Sequence, residues 1–142
     1  MKVGAPSQAK QLRVLIVDDE QDFVEILSMR LEASGAFSVA KAFDGEAGLQ
    51  KARSFKPHVV LLDLLMPKLD GWELCQRLRS EPETRNIPLV VITAVRTEEA
   101  QARARAMGIR RILFKPFDYR QLVELLKGTL PNHAPRPGLS LS

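Results

Sequence analysis

Four short runs of Val, Ile and Leu in this chain each end in a polar residue able to do chemistry. Arg13-Val14-Leu15-Ile16-Val17 ends in Asp18 and Asp19, and His58-Val59-Val60-Leu61-Leu62 ends in Asp63. Leu89-Val90-Val91-Ile92 ends in Thr93, and Ile112-Leu113-Phe114 ends in Lys115. Runs this short and continuously apolar read as parallel strands covered on both faces. Amphipathic helical patterns separate them, and strand–helix alternation implies βαβ units wound into a parallel sheet with helices on both sides. Ligands of such sheets bind beyond the carboxyl ends of the strands. Three carboxylates, one hydroxyl and one amine are therefore expected to meet there, a set that suits one divalent cation and one phosphoryl group.

The helices have legible limits. Phe23, Ile26, Leu27 and Leu31 recur at helical spacing and predict a helix from about Gln21 to Ser34, stopped by Gly35. Residues 37–42 alternate as a strand, and Asp44 can cap a second helix that ends near Phe55, before Pro57. Leu74 and Leu78 mark a third helix after the Pro67–Gly71 loop. Thr97 caps a fourth, with Glu98 and Glu99 at its positive end and Arg103 and Arg105 toward its negative end, and Gly108 stops it. Asp118 with Gln121 resembles a capping box for a fifth, whose buried stripe is Leu122, Leu125, Leu126 and Leu130. One domain over residues 12–130 follows, with a flexible segment at 1–11 and, at 131–142, either a flexible tail or the start of a linker to a C-terminal output domain.

Composition removes several function classes. At 142 residues the chain fits one domain. No apolar run approaches the roughly 20 residues of a membrane span, and the first ten residues lack the apolar core of a secretory signal, so a cytoplasmic location is expected. Cys75 is the single cysteine, which rules out an internal disulfide and a multi-thiolate metal site and reads as structural. The net charge of +4 is too small to argue for nucleic acid, and no nucleic-acid-binding signature appears. A phosphate loop of the GxxxxGK[ST] kind and a GxGxxG turn are both missing, which argues against nucleotide binding.

Val17-Asp18-Asp19-Glu20, Asp63-Leu64-Leu65-Met66-Pro67-Lys68-Leu69-Asp70-Gly71, Thr93-Ala94 and Lys115-Pro116-Phe117 are weak markers singly. In this order, each at a strand end, they make residues 12–130 resemble the receiver domain of a two-component response regulator, similar to the single-domain chemotaxis regulator. The resemblance implies a flavodoxin-like five-stranded parallel sheet in the order 2-1-3-4-5 flanked by five helices. It implies that Asp63 accepts a phosphoryl group from a phosphohistidine of a sensor kinase or phosphotransfer protein. It assigns Mg²⁺ to Asp19 and Asp63 directly, to Asp18 through water and to the backbone carbonyl of Leu65; a hard cation of this kind prefers oxygen ligands. Lys115 would pair with Asp63 and then with a phosphoryl oxygen, the Thr93 hydroxyl would donate to another, and the Lys115–Pro116 bond would be cis. Such a protein signals through a partner and turns over no metabolite.

Singly, each residue has an ordinary explanation. An Asp pair after a strand can cap the next helix, Asp63 can serve a turn, Lys115 can be a surface lysine, and Thr93 can bond its own backbone. Their joint coincidence is what argues for a site. An aspartyl phosphatase of the haloacid-dehalogenase type would want an acid two residues after the nucleophile, where Leu65 stands.

Three departures from the family pattern bear on output. Ile112 occupies the position, three before the lysine, where the family carries a switching Tyr or Phe, so a receiver-like interaction domain independent of phosphorylation is the alternative function. Leu65 and Val95, two residues after Asp63 and Thr93, are apolar and predict a long-lived phosphoaspartate. Arg110 and Arg111, with Arg96, Arg103 and Arg105 nearby, predict a basic face on the fourth helix, fifth strand and fifth helix, suited to an acidic protein partner.

Overall fold

The computed structural model describes residues 11–64 and 71–129. Ten elements alternate along the chain: β1 (Leu12–Val17), α1 (Gln21–Ala33), β2 (Phe37–Ala42), α2 (Gly45–Phe55), β3 (Val59–Leu62), α3 (Gly71–Ser80), β4 (Leu89–Thr93), α4 (Glu98–Ala106), β5 (Arg111–Phe114) and α5 (Tyr119–Gly128). The strands are parallel and lie in the order β2-β1-β3-β4-β5, as the resemblance implied.

Alternation along each strand divides the core into two layers. Leu15, Val17, Val60, Leu62 and Val91 face Leu49 and Ala52 of α2, Leu74 and Leu78 of α3 and Ala104 of α4. Val14, Ile16, Leu61, Val90 and Ile92 face Val24, Leu27 and Leu31 of α1 and Leu122 and Leu126 of α5. Every residue of β3 and β4 is buried, which accounts for their unbroken apolar composition.

The helix caps follow the sequence closely. The Asp44 carboxylate accepts the Ala47 N–H at 2.8 Å, and the Thr97 hydroxyl accepts the Ala100 N–H at 3.2 Å. Gly35 and Gly108 take the left-handed conformation that ends α1 and α4, with φ of 80° and 81°. Asp118 caps α5 by accepting the Arg120 N–H at 2.9 Å, but no bond from Gln121 to Asp118 appears among the described residues, so the cap has one arm and not two.

The helix expected from about Gln21 to Ser34 is α1, and the structure defines its inner stripe. Val24, Leu27, Ser28 and Leu31 are its buried residues, whereas Ile26 is 66% exposed. Spacing of i, i+3, i+4 and i+7 starting at Val24 points to the sheet, and Ile26 falls outside that stripe. In α5, Leu122 and Leu126 are buried and Leu125 only partly; Leu130 lies outside the described residues, as do residues 1–10 and 131–142.

Candidate functional site

Register brings the acids together. Val17 of β1 pairs with Leu62 of β3, so the residues that follow, Asp18 and Asp63, leave adjacent strands side by side. The Asp63 N–H donates to the Val17 carbonyl at 3.1 Å, and the Asp18 N–H donates to the Ala42 carbonyl at 3.1 Å. One layer over, Thr93 pairs with Phe114, and the Lys115 N–H donates to the Thr93 carbonyl at 2.9 Å. All five residues expected at the site therefore leave the same edge of the sheet. The Lys115–Pro116 peptide is cis.

Asp18, Asp19 and Asp63 each offer a carboxylate oxygen, and these oxygens lie within 4.8 Å of one another. Asp18 and Asp63 are buried and Asp19 is exposed, so the cluster opens to solvent on one side. Asp18 Oδ1 also accepts the Glu20 N–H at 3.0 Å. An acid after a strand that also bonds the backbone two residues on serves the turn as well as the cluster. Leu65, expected to supply a carbonyl oxygen, lies outside the described residues.

Lys115 reaches across this group. Its Nζ donates to Asp18 Oδ2 at 2.9 Å and to Glu20 Oε1 at 2.8 Å, and stands 3.5 Å from Asp63 Oδ2. The ring of Phe23 on α1 takes a further side of the ammonium, 4.4 Å from its centroid, and is itself met edge-on by Phe117. Glu20 and Phe23 are the residues that sequence reasoning missed. Glu20 stood inside the Val17–Glu20 marker, but no local pattern says that a glutamate at a helix N-cap will reach a lysine 95 positions later.

Charge is strongly unbalanced at this point. Burial pushes the Asp18 carboxyl above its ordinary range against the pull of the Glu20 N–H and Lys115, and the Asp63 charge adds to the push. Burial also disfavours the Lys115 ammonium, but its bonds to Glu20 and Asp18 and the Asp63 charge outweigh that and hold its pKa above the usual lysine value. An isolated ion pair would lower Asp18. Its upward net direction reflects burial next to a second carboxylate, and the three acids around the ammonium, with Asp19 beside two of them, leave room for further positive charge.

Thr93 is buried at the end of β4, and its hydroxyl oxygen accepts the Val95 N–H at 3.2 Å, leaving its proton to donate elsewhere. Ile112 is partly buried against the core layer that α2, α3 and α4 cover, as are Trp72 and Met107. Phe114, on the same sheet face, lies under the Arg96 guanidinium, 4.7 Å from the ring centroid. Arg103 stacks over Trp72 at 4.4 Å, and Arg111 reaches the Gly128 carbonyl at 3.5 Å. Three of the five arginines of the expected basic face therefore make contacts within the protein, and Arg96, Arg103, Arg105 and Arg110 are all exposed.

The family model of the response regulator receiver domain matches residues 14–127. Among curated proteins, the chain is 34% identical over 118 residues to the DNA-binding dual master transcriptional regulator RpaA of Synechocystis, covering 83% of this chain and 48% of that protein. It is 36% identical over 118 residues to the alkaline phosphatase synthesis transcriptional regulatory protein PhoP of Bacillus subtilis, with the same two coverages of 83% and 48%. It is 37% identical over 106 residues to the response regulator PleD of Caulobacter vibrioides, covering 75% of this chain and 23% of that protein. The chain thus spans about half or less of these relatives. Among solved structures, the chemotaxis protein CheY4 of Vibrio cholerae superposes with a TM-score of 0.78 at 28% identity, covering 84% of this chain and 99% of that one. The receiver domain of the Francisella response regulator 1452 superposes with a TM-score of 0.76 at 26% identity, covering 84% and 96%.

Proposed function

This chain belongs to the response regulator receiver domain family, and we propose that it takes a phosphoryl group from a sensor-kinase or phosphotransfer-protein phosphohistidine onto Asp63 in a Mg²⁺-dependent step. The supporting observation is the meeting of Lys115 with Asp63 at 3.5 Å beside the two other carboxylates. The donor set is all carboxylate oxygen, which fits a hard divalent cation. Asp18, Asp19 and Asp63 would hold it, with the Leu65 carbonyl as a further ligand. The ion supplies the positive charge that lets an anionic nucleophile meet an anionic phosphoryl group.

The chain's own groups do the rest. An Asp63 carboxylate oxygen attacks phosphorus, a P–O bond forms as the P–N bond to the donor imidazole breaks, and the imidazole leaves with the electron pair and takes a proton. Lys115 neutralises one phosphoryl oxygen, and the Thr93 hydroxyl donates to another. Positioning and electrostatic stabilisation carry the step. The protein is a signalling module acting in the cytoplasm, with no turnover of a metabolite. It passes the state of Asp63 to a protein partner at the face of α4, β5 and α5, where Arg105 and Arg110 favour an acidic surface.

The test is phosphorylation by acetyl phosphate followed by intact mass. One added phosphoryl group is expected in the native chain with Mg²⁺, and none without Mg²⁺ or in Asp63→Ala. No adduct and no binding of beryllofluoride would defeat the proposal and favour an interaction domain independent of phosphorylation, a reading that Ile112 supports.

A further inference from the structure

Lys115 meets Asp63, but two other acids hold its ammonium more closely. Its shortest contact is with Glu20 Oε1 at 2.8 Å, its next with Asp18 at 2.9 Å, and Asp63 is the most distant of the three carboxylates at 3.5 Å. Glu20 is the N-cap residue of α1, yet its side chain caps nothing there. Its carbonyl accepts the first helical bond, from the Val24 N–H at 3.0 Å. The carboxylate of Glu20 is thus committed to the lysine. Phe23, one turn into the same helix, lies against the ammonium from another side. Asp18 at the end of β1, Glu20 at the N-cap of α1 and Phe23 within that helix therefore hold the cation together with Asp63, and Glu20 competes with Asp63 for it.

The two acids differ in how easily they let go. The Asp18 side chain is 3% exposed and cannot lose a charge partner cheaply, whereas the Glu20 side chain is 62% exposed and is rehydrated when the lysine leaves. We propose that Glu20 is a positioning residue that parks the Lys115 ammonium partly away from Asp63 and so restrains the rate at which Asp63 is phosphorylated. This rests on Lys115 as the group that meets the phosphoryl oxygen. Glu20 touches no reacting atom; it acts by competing with the phosphoryl group for the ammonium.

The competing effect of bare charge is separable. Asp22, two residues on, is an exposed acid of the first turn of α1 that makes no contact with Lys115 among the described residues. Asp22→Asn removes the same charge from the same region, and a general field effect on an anionic donor acts mainly on the donor concentration at half-maximal rate. Release of a parked lysine acts on the maximal rate.

The experiment measures phosphorylation of the 142-residue chain by acetyl phosphate across donor concentration in saturating Mg²⁺, for the native chain, Glu20→Gln and Asp22→Asn. Glu20→Gln is expected to raise the maximal rate about two- to five-fold, the equilibrium factor that an exposed ion pair carries. Asp22→Asn is expected to leave it unchanged. Without Mg²⁺ or donor, the carbon-13 signal of the Asp63 side-chain carboxyl should shift in Glu20→Gln, as the ammonium settles nearer to it, and stay in place in Asp22→Asn. An unchanged maximal rate in Glu20→Gln, or equal gains in the two variants, overturns the proposal while leaving phosphorylation of Asp63 standing. A native chain that takes up no phosphoryl group overturns both.

Discussion

Gly71 lies against the backbone carbonyl of Asp63 with no space for a side chain. A β-carbon added there would collide with the Asp63 carbonyl oxygen and come within 2.5 Å of the Leu64 α-carbon. The Gly71 N–H also donates to the Leu64 carbonyl at 3.0 Å, so α3 starts pinned to the end of β3. The obstructing atoms are backbone and cannot swing away. Gly71→Ala should cost about 3 kcal/mol, the upper range of overpacking, read as a lower urea midpoint. It should also slow phosphorylation, because relief of the clash must move Asp63 or Leu64. Gly128→Ala is the control: nothing lies within 4 Å of its added carbon, and stability should hold or rise. A Gly71→Ala protein as stable and as reactive as native would refute the close approach.

Ile112 sets a second expectation. It is partly buried against the core layer that α2, α3 and α4 cover, while the aromatic on its sheet face, Phe114, is held under Arg96. Ile112 lacks the ring that the family swings inward when the strand-end hydroxyl moves, so coupling from Asp63 to α4 is expected to be weak. Beryllofluoride should shift the α4 amide signals less in the native chain than in Ile112→Tyr. A native response as large as that of the variant would end the idea.

Much of this architecture was legible from the strand ends. Runs such as Leu89–Thr93 are buried at every position, and their shortness and Val/Ile content, not their periodicity, mark them as covered strands. Parallel order then places their polar ends on one edge. The spacing that predicted α1 left open which of its apolar residues face the core, because an apolar residue at helical spacing looks the same whether it faces the core or water, and exposed apolar residues such as Ile26 are common. The Glu20–Lys115 contact was illegible for another reason. It depends on where the turn after β1 aims one long side chain, and no local rule sets that.

Leu65 and Val95 flank the site in sequence, and Leu65 lies outside the described residues. Val95 donates its N–H to the Thr93 hydroxyl oxygen and presents an apolar, half-buried side chain. A polar group at either position can orient the water that hydrolyses an acyl phosphate. The phosphoaspartate is expected to be long-lived, and Leu65→Asn and Val95→Glu should each shorten it several-fold, followed by decay of the intact-mass adduct. Unchanged or longer lifetimes in both would count against the role assigned to these positions.

At the far end of the sheet, His58 occupies both backbone groups of Arg13. Its N–H donates to the Arg13 carbonyl at 2.8 Å, and its ring Nδ1 accepts the Arg13 N–H at 2.8 Å. The Arg13 guanidinium continues to the Lys56 carbonyl at 2.7 Å and 3.0 Å, closing the C-terminus of α2. A ring that accepts at Nδ1 must be neutral, and burial, with the Arg13 charge, lowers the His58 pKa from its ordinary 6.5. The folded state therefore binds a proton less readily than the unfolded state. Its stabilising contribution is complete above about pH 6.5 and is lost as pH falls through the folded pKa. Carboxylates titrate on the same descent, so the readout is a difference between proteins. The urea midpoint of native protein should fall more between pH 7.5 and pH 5 than that of His58→Asn, whose amide oxygen accepts without titrating. His58→Leu should lose about 1–2 kcal/mol at both pH values by leaving the Arg13 N–H unpaired. Parallel pH profiles for native and His58→Asn would show that the ring is not held neutral by this bond.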